Sequence, residues 1–302
     1  MELAVEHVAG IGLAAISVFT FAIYYLCVRL GTVRGHAYDV MLVSLLVNVA
    51  LYFPLVAIVH GIPTVTTQSL VAFAAAGLVG SFLARLVVIR SVQVIGASRT
   101  SPIVAANVFI ASLLAVVLFD ERLTMMHLIG IILIVAGVAM ITYETAKGAD
   151  PDASLREFGA SIALPILGAA LIGVEPIFIT IGLEGNTGVL PGVAIKATAA
   201  TIGFVGYLAF VGELRFDRLQ LNRTFGWYLG AGLTSGIGII TLFAALETAP
   251  VVLVIPLLQT VPLLVLILSL MFMPRRLELI TMRLVIGALV VVIGAMLVSL
   301  FG

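Results

Sequence analysis

The sequence predicts an all-α polytopic membrane protein of ten transmembrane helices, arranged as two inverted five-helix repeats. Three observations predict it. Hydrophobic residues fill 62% of the 302 positions and charged residues only 10%, where a soluble domain carries roughly a quarter charged residues. Ten apolar runs of about 20 residues follow one another, the length that spans a bilayer at 1.5 Å per helical residue. Finally, Glu121-Arg122-Leu123-Thr124 leads into a helix punctuated by Gly130 and Gly137. The same E-x-x-T-x5-G-x6-G pattern returns 157 residues later as Glu278-Leu279-Ile280-Thr281, Gly287 and Gly294.

The runs lie near 9–30, 38–59, 69–92, 100–119, 125–143, 159–183, 190–211, 225–246, 251–272 and 281–301. Stretches such as Leu128 to Ile141 lack the period-two alternation of a barrel strand. Lipid requires every backbone group to be bonded internally, so unbroken runs of this length are helices. The opening Met1-Glu2-Leu3-Ala4-Val5-Glu6-His7 has no basic region, and the apolar run after it is too long for a signal core, so it reads as a retained first helix. Ser101-Pro102 opens the fourth run, and Ile255-Pro256 stands in the matching place of the ninth. The charged stretch 145–158 around Pro151 separates a first repeat, 1–144, from a second, 159–302. Five is an odd number, so the second repeat enters the membrane from the side opposite the first, and a pseudo-two-fold axis lies in the membrane plane.

Several function classes fall away. Net charge is zero, which gives no basic face for nucleic acid. Cys27 is the single cysteine, has no metal-ligand partner near it, and reads as a small core residue; no metal site or cofactor is expected. There is no G-x4-G-K-[ST] run for ATP phosphates and no H-E-x-x-H zinc pair. Gly232-Leu233-Thr234-Ser235-Gly236 looks like a serine elbow but lies in a glycine-rich helix, with none of the four histidines in helices 8 to 10.

Gly96-Ala97-Ser98-Arg99-Thr100-Ser101-Pro102, the connection Phe119 to Thr124, and the Gly130/Gly137 helix resemble the end of an EamA-type domain of the drug/metabolite transporter superfamily. Ala245, Pro250, Pro256, Pro262, Glu278 and Gly287 resemble the end of its second copy. Met273-Pro274-Arg275-Arg276 lengthens the second connection, and Glu175 and Lys196 depart from the family pattern. The resemblance implies a multi-pass cell-membrane transporter of small organic solutes, with a cavity lined by helices 1, 3, 4, 6, 8 and 9.

Ionisable groups inside a membrane usually face a cavity or a partner, because burying them costs several kcal/mol. Glu175 stands about eight residues from the end of helix 6, roughly 12 Å deep, and Lys196 about six residues into helix 7, roughly 9 Å from the same face. Two roles stay open for them: substrate or proton binding at Glu175, with the neighbouring Pro176 allowing a kink, or a structural pair across the hairpin. Arg85, about seven residues from the end of helix 3, either binds an anionic group or snorkels to the interface. Arg90 and Arg99 read as interface anchors. Asn107 and Gln259 are mid-membrane amides that line a cavity or cross-link helices. Tyr24 and Tyr25 offer an aromatic wall or plain packing. Glu121 and Glu278 read as helix-start caps, and the paired glycines as close-packing residues.

The expected function is secondary transport of a small organic metabolite, such as an amino acid, with a proton as a coupling ion that Glu175 can carry. An intramembrane enzyme centred on Glu175 and Arg85, or a translocator of lipid or lipid-linked sugar, is the alternative. For orientation two arguments collide. The resemblance implies cytoplasmic termini, yet twelve of the fifteen Lys and Arg residues hold or border the odd-numbered connections, against Arg122 alone on the other face. Short basic loops stay cytoplasmic, so charge predicts both termini outside.

Overall fold

The computed structural model describes residues 2–59, 64–110, 114, 125–147, 155–185, 187–215, 223–248, 254, 257–273 and 280–300. They form α1 (Glu2–Arg34), α2 (Ala37–Val59), α3 (Thr67–Ile95), α4 (Ala97–Ala105), α5 (Met125–Lys147), α6 (Leu155–Glu184), α7 (Val189–Phe210), α8 (Arg223–Thr248), α9 (Val261–Phe272) and α10 (Met282–Leu300). Among the described residues there is no strand. Six of these helices hold segments long and apolar enough to cross a membrane: Ala9–Val33, Ala37–Val59, Thr67–Ile95, Ser161–Glu184, Val189–Phe210 and Arg223–Ala245. Leu128–Ile141, Val261–Phe272 and Met282–Leu297 are shorter apolar segments, so among the described residues six of the expected ten crossings are seen at spanning length. Glu121, Glu278, Pro250, Pro256 and the insertion Pro274-Arg275-Arg276 lie outside the described residues, as does Pro151 of the expected linker.

The outer surface is apolar. Phe210 is 91% and Ile58 82% exposed, with Met125, Ile132 and Ile202 also turned outward. A lipid surround makes such a surface favourable. Inside, small residues let helices approach, and hydroxyls tie them together. Ser17 donates to Gly238 O at 2.9 Å between α1 and α8, and Ser69 to Gly182 O at 2.7 Å between α3 and α6. Both pairs run antiparallel: going up α3, Phe73 meets Gly182, Gly80 meets Glu175 and Val88 meets Gly168.

The duplication is visible in the packing. The helices α2 and α7, α4 and α9, and α5 and α10 each meet their own counterpart, while α1–α8 and α3–α6 are an interchanged pair. A two-fold axis requires this pattern. At the α5–α10 crossing a Cβ on Gly137 would stand 2.8 Å from Gly287 O, and one on Gly294 would stand 2.6 Å from Gly130 O. As the number rises from 130 to 137 on α5, its partner falls from 294 to 287 on α10. The two related helices are therefore antiparallel, and the axis that exchanges them lies across the helices rather than along them.

Two glycines set the sharp reversals. Gly96 (φ 90°) alone joins α3 to α4, and Gly188 (φ 75°) precedes α7, both in the left-handed region where a side chain is strained. At the end of α3, Arg29 Nη1 donates to Val92 O at 3.1 Å, beside the Gly96 amide, and to Gln93 O at 2.7 Å.

Candidate functional site

Helix α3 organises the interior. Its middle, Gly77–Ala84, is a π-helical turn in which the Arg85 amide reaches back to Gly80 O. Such wide turns recur at functional sites. A widened turn needs small residues where neighbours press on it, and here they are glycines. The carbonyl of Lys196 fills the space beside Gly77, and the Glu175 carboxylate fills the space beside Gly80.

Glu175 of α6 and Lys196 of α7 form an ion pair, their side chains 14% and 11% exposed. A pair across the hairpin was one of the two roles that the sequence left open; Gly80 of the first half faces its carboxylate, and Gly77 faces the Lys196 backbone. A narrow apolar cleft beside it is lined by Phe73, Ile179, Leu183, Gly192, Val193 and Lys196, so the lysine is its single charged wall.

Arg85 sits differently. The structure extends α3 to Ile95, ten residues beyond Arg85, or roughly 15 Å by helical rise. Its guanidinium turns inward: Nε donates to Tyr24 Oη at 3.3 Å, and the carbon Cζ lies 5.2 Å from the centre of that ring. Asn48 of α2 satisfies its surroundings when its amide NH2 donates to Gly232 O (2.9 Å) and Ser44 O (3.3 Å) and its oxygen accepts from Arg85 Nη1 (3.1 Å). Tyr24 is 7% and Asn48 2% exposed, so these contacts of Arg85 are to buried polar groups. Arg85 forms no ion pair among the described residues.

The remaining residues fall in place around these two clusters. Tyr25 meets Tyr24 edge-on at 5.6 Å. Asn107 follows a break in the fourth run: the Ala106 amide turns to Ile103 O, and Asn107 Nδ2 caps Val104 O at 2.8 Å. The same break recurs 154 residues on, where the Thr260 amide turns to Leu257 O. It follows Pro102 by the same four residues that separate Thr260 from Pro256. Gln259 is buried at that second break. Arg90 is exposed with its guanidinium 4.7 Å over the Tyr38 ring, and Arg99 Nη1 donates to Ile95 O at 3.4 Å. Thus Tyr24 and Arg85 come together, as do Glu175 and Lys196, whereas Asn107 and Gln259 belong to the breaks. The expected lining of helices 1, 3, 4, 6, 8 and 9 omits α2 and α7, which supply Asn48 and Lys196. Asn48 was missed, although it is the lone amide in the 23-residue α2.

No curated protein matches the sequence. Fifteen solved chains match its fold. One crystal structure, titled only as that of a protein, shares 14% identity and superposes with a TM-score of 0.63 over 99% of this chain and 97% of that one. That likeness shows the fold alone. The model of the EamA-like transporter family matches twice, over residues 8–143 and 159–300, once for each copy of the duplicated pattern. Two matches that together take in nearly the whole chain establish a multi-pass membrane transporter rather than an enzyme, and the chain belongs to the EamA-like transporter family.

Proposed function

We propose that the protein is a secondary transporter of a small organic metabolite, an amino acid or related compound, working by alternating access of two inverted five-helix repeats, 1–144 and 159–302, joined by 145–158. The antiparallel, dyad-related glycine crossing of α5 and α10 is the observation that carries this reading. Inverted halves can exchange conformations, and the exchange turns a cavity open to one side into a cavity open to the other.

Glu175 and Lys196 lie where the second half meets α3 of the first. A proton arriving on Glu175 dissolves the pair and frees the contact with Gly80, so the same group can carry the coupling ion and release the seam. Full-length protein in proteoliposomes tests this. A pH gradient should drive accumulation of at least one labelled amino acid, and Glu175→Gln should keep counterflow while losing the gradient drive. Unchanged pH dependence in that variant sinks the coupling role; no counterflow of any amino acid sinks the substrate class.

The basic connections favour both termini outside the cell. Single cysteines at Thr145 and Thr66 in a Cys27→Ser background report it: an impermeant maleimide should label position 66 in intact cells and spare position 145. The reverse pattern would show that charge does not set this topology.

A further inference from the structure

At Glu175 and Lys196 interior charge is neutralised where it stands. Arg85 is held otherwise. It lies roughly 15 Å from the end of its helix, held by a phenol, a ring face and an amide, all neutral. A guanidinium in this setting keeps its charge, since it does not deprotonate in proteins. Three of its five N–H groups remain once Nε is given to Tyr24 and one Nη1 hydrogen to Asn48. Nη2 keeps both of its hydrogens and Nη1 keeps one, so donors remain for a fork on the two oxygens of a carboxylate. Tyr24 and Asn48 grip the other parts of the group and fix the plane of that fork.

We propose that Arg85, oriented by Tyr24 and Asn48, is the recognition site for the carboxylate of a water-soluble organic anion. This rests on the transport reading and adds to it a substrate class: the solute must carry a carboxylate. The anion supplies the negative charge that the surrounding helices withhold. The site is built by α1, α2 and α3, all in the first half, while the Glu175–Lys196 pair is in the second. The widened turn of α3 joins them, because the Arg85 amide is bonded to the carbonyl of Gly80, and the Glu175 carboxylate fills the space where a Gly80 side chain would stand.

Thermal unfolding of the purified full-length protein tests the site, with acetate, lactate, succinate, benzoate and the amino acids each set beside its own carboxamide. A ligand that binds the native state raises its unfolding temperature. At least one carboxylate should do so where its amide does not, and Arg85→Gln should abolish the shift. Equal shifts for acid and amide, a shift that survives Arg85→Gln, or no shift with any carboxylate overturns the proposal. If Arg85→Gln does not fold, Arg85→Lys decides, since it keeps the charge and loses the planar fork. Carboxylate binding should weaken about tenfold or more in that variant, and unchanged affinity overturns the idea. Proteoliposomes separate this from the transport reading. Uptake of a neutral or cationic solute that ignores Arg85→Gln removes the carboxylate site and leaves transport standing; Arg85-dependent binding without any flux removes transport and leaves the site.

Discussion

Two charged sites inside the bundle solve the same electrostatic problem in opposite ways. At Glu175 and Lys196 a carboxylate and an ammonium from adjacent helices cancel one another. At Arg85 one cation is held by dipoles and a ring face. Removing one partner of a buried pair is costly because the other is left uncompensated. Removing a lone cation leaves no charge behind. The difference teaches that the pair is complete within the protein, whereas Arg85 keeps N–H groups to spare, the feature on which the proposed carboxylate site rests.

The comparison breaks first at Lys196. Lys196→Met should destabilise the purified protein by about 3 kcal/mol, read as a lowered midpoint of thermal unfolding, and adding Glu175→Gln should restore much of the loss. Strict additivity of the two changes would mean that the pair does not act as a unit. Next comes Gly80→Ala, which drives a methyl into the Glu175 carboxylate and should cost about 1–3 kcal/mol through overpacking. In a Glu175→Ala, Lys196→Met background that cost should shrink, because the obstructing carboxylate is gone; a full cost there would place the strain in the π turn itself. The smallest effect belongs to Arg85→Gln. It loses hydrogen bonds to Tyr24 and Asn48 but strands no charge, so stability should change by about 1 kcal/mol or less. A loss as large as that of Lys196→Met would erase the distinction between the two sites.

The pair was legible in the sequence because depth follows from simple counting. Glu175 and Lys196 flank one hairpin, each a known number of residues from it, and helical rise converts those numbers to matching depths. The glycine spacing of α5 and α10 was legible for a similar reason, since period alone places Gly130 and Gly137 on one stripe. Arg85 was half legible. The sequence ended its helix at 92, three residues early, and gave no sign of the π turn, whose hydrogen-bond pattern is decided by what presses on Gly77 and Gly80 from α6 and α7. Asn48 stayed hidden because its meaning depends on a partner 37 residues away that only the packing of α2 on α3 supplies. The breaks at Ala106 and Thr260 each stand four residues after a proline in the sequence, Pro102 and Pro256, but that equal spacing became evidence of duplication only once the turned amides were seen.

The crossing of α5 and α10 has the form of an isologous interface folded into one chain: a patch that pairs with a related patch, with residue i meeting j and j's relative meeting i's. In an assembly of two copies of one unit, a change at Gly137 is also a change at Gly294, so each substitution there strikes both ends of the seam together. Glu175 and Lys196 stand off that axis, and the apolar middles of α1 and α2 carry no charged counterpart to them. The seam therefore records what the copies had to keep in common, and the ion pair records where one of them was free to become something else.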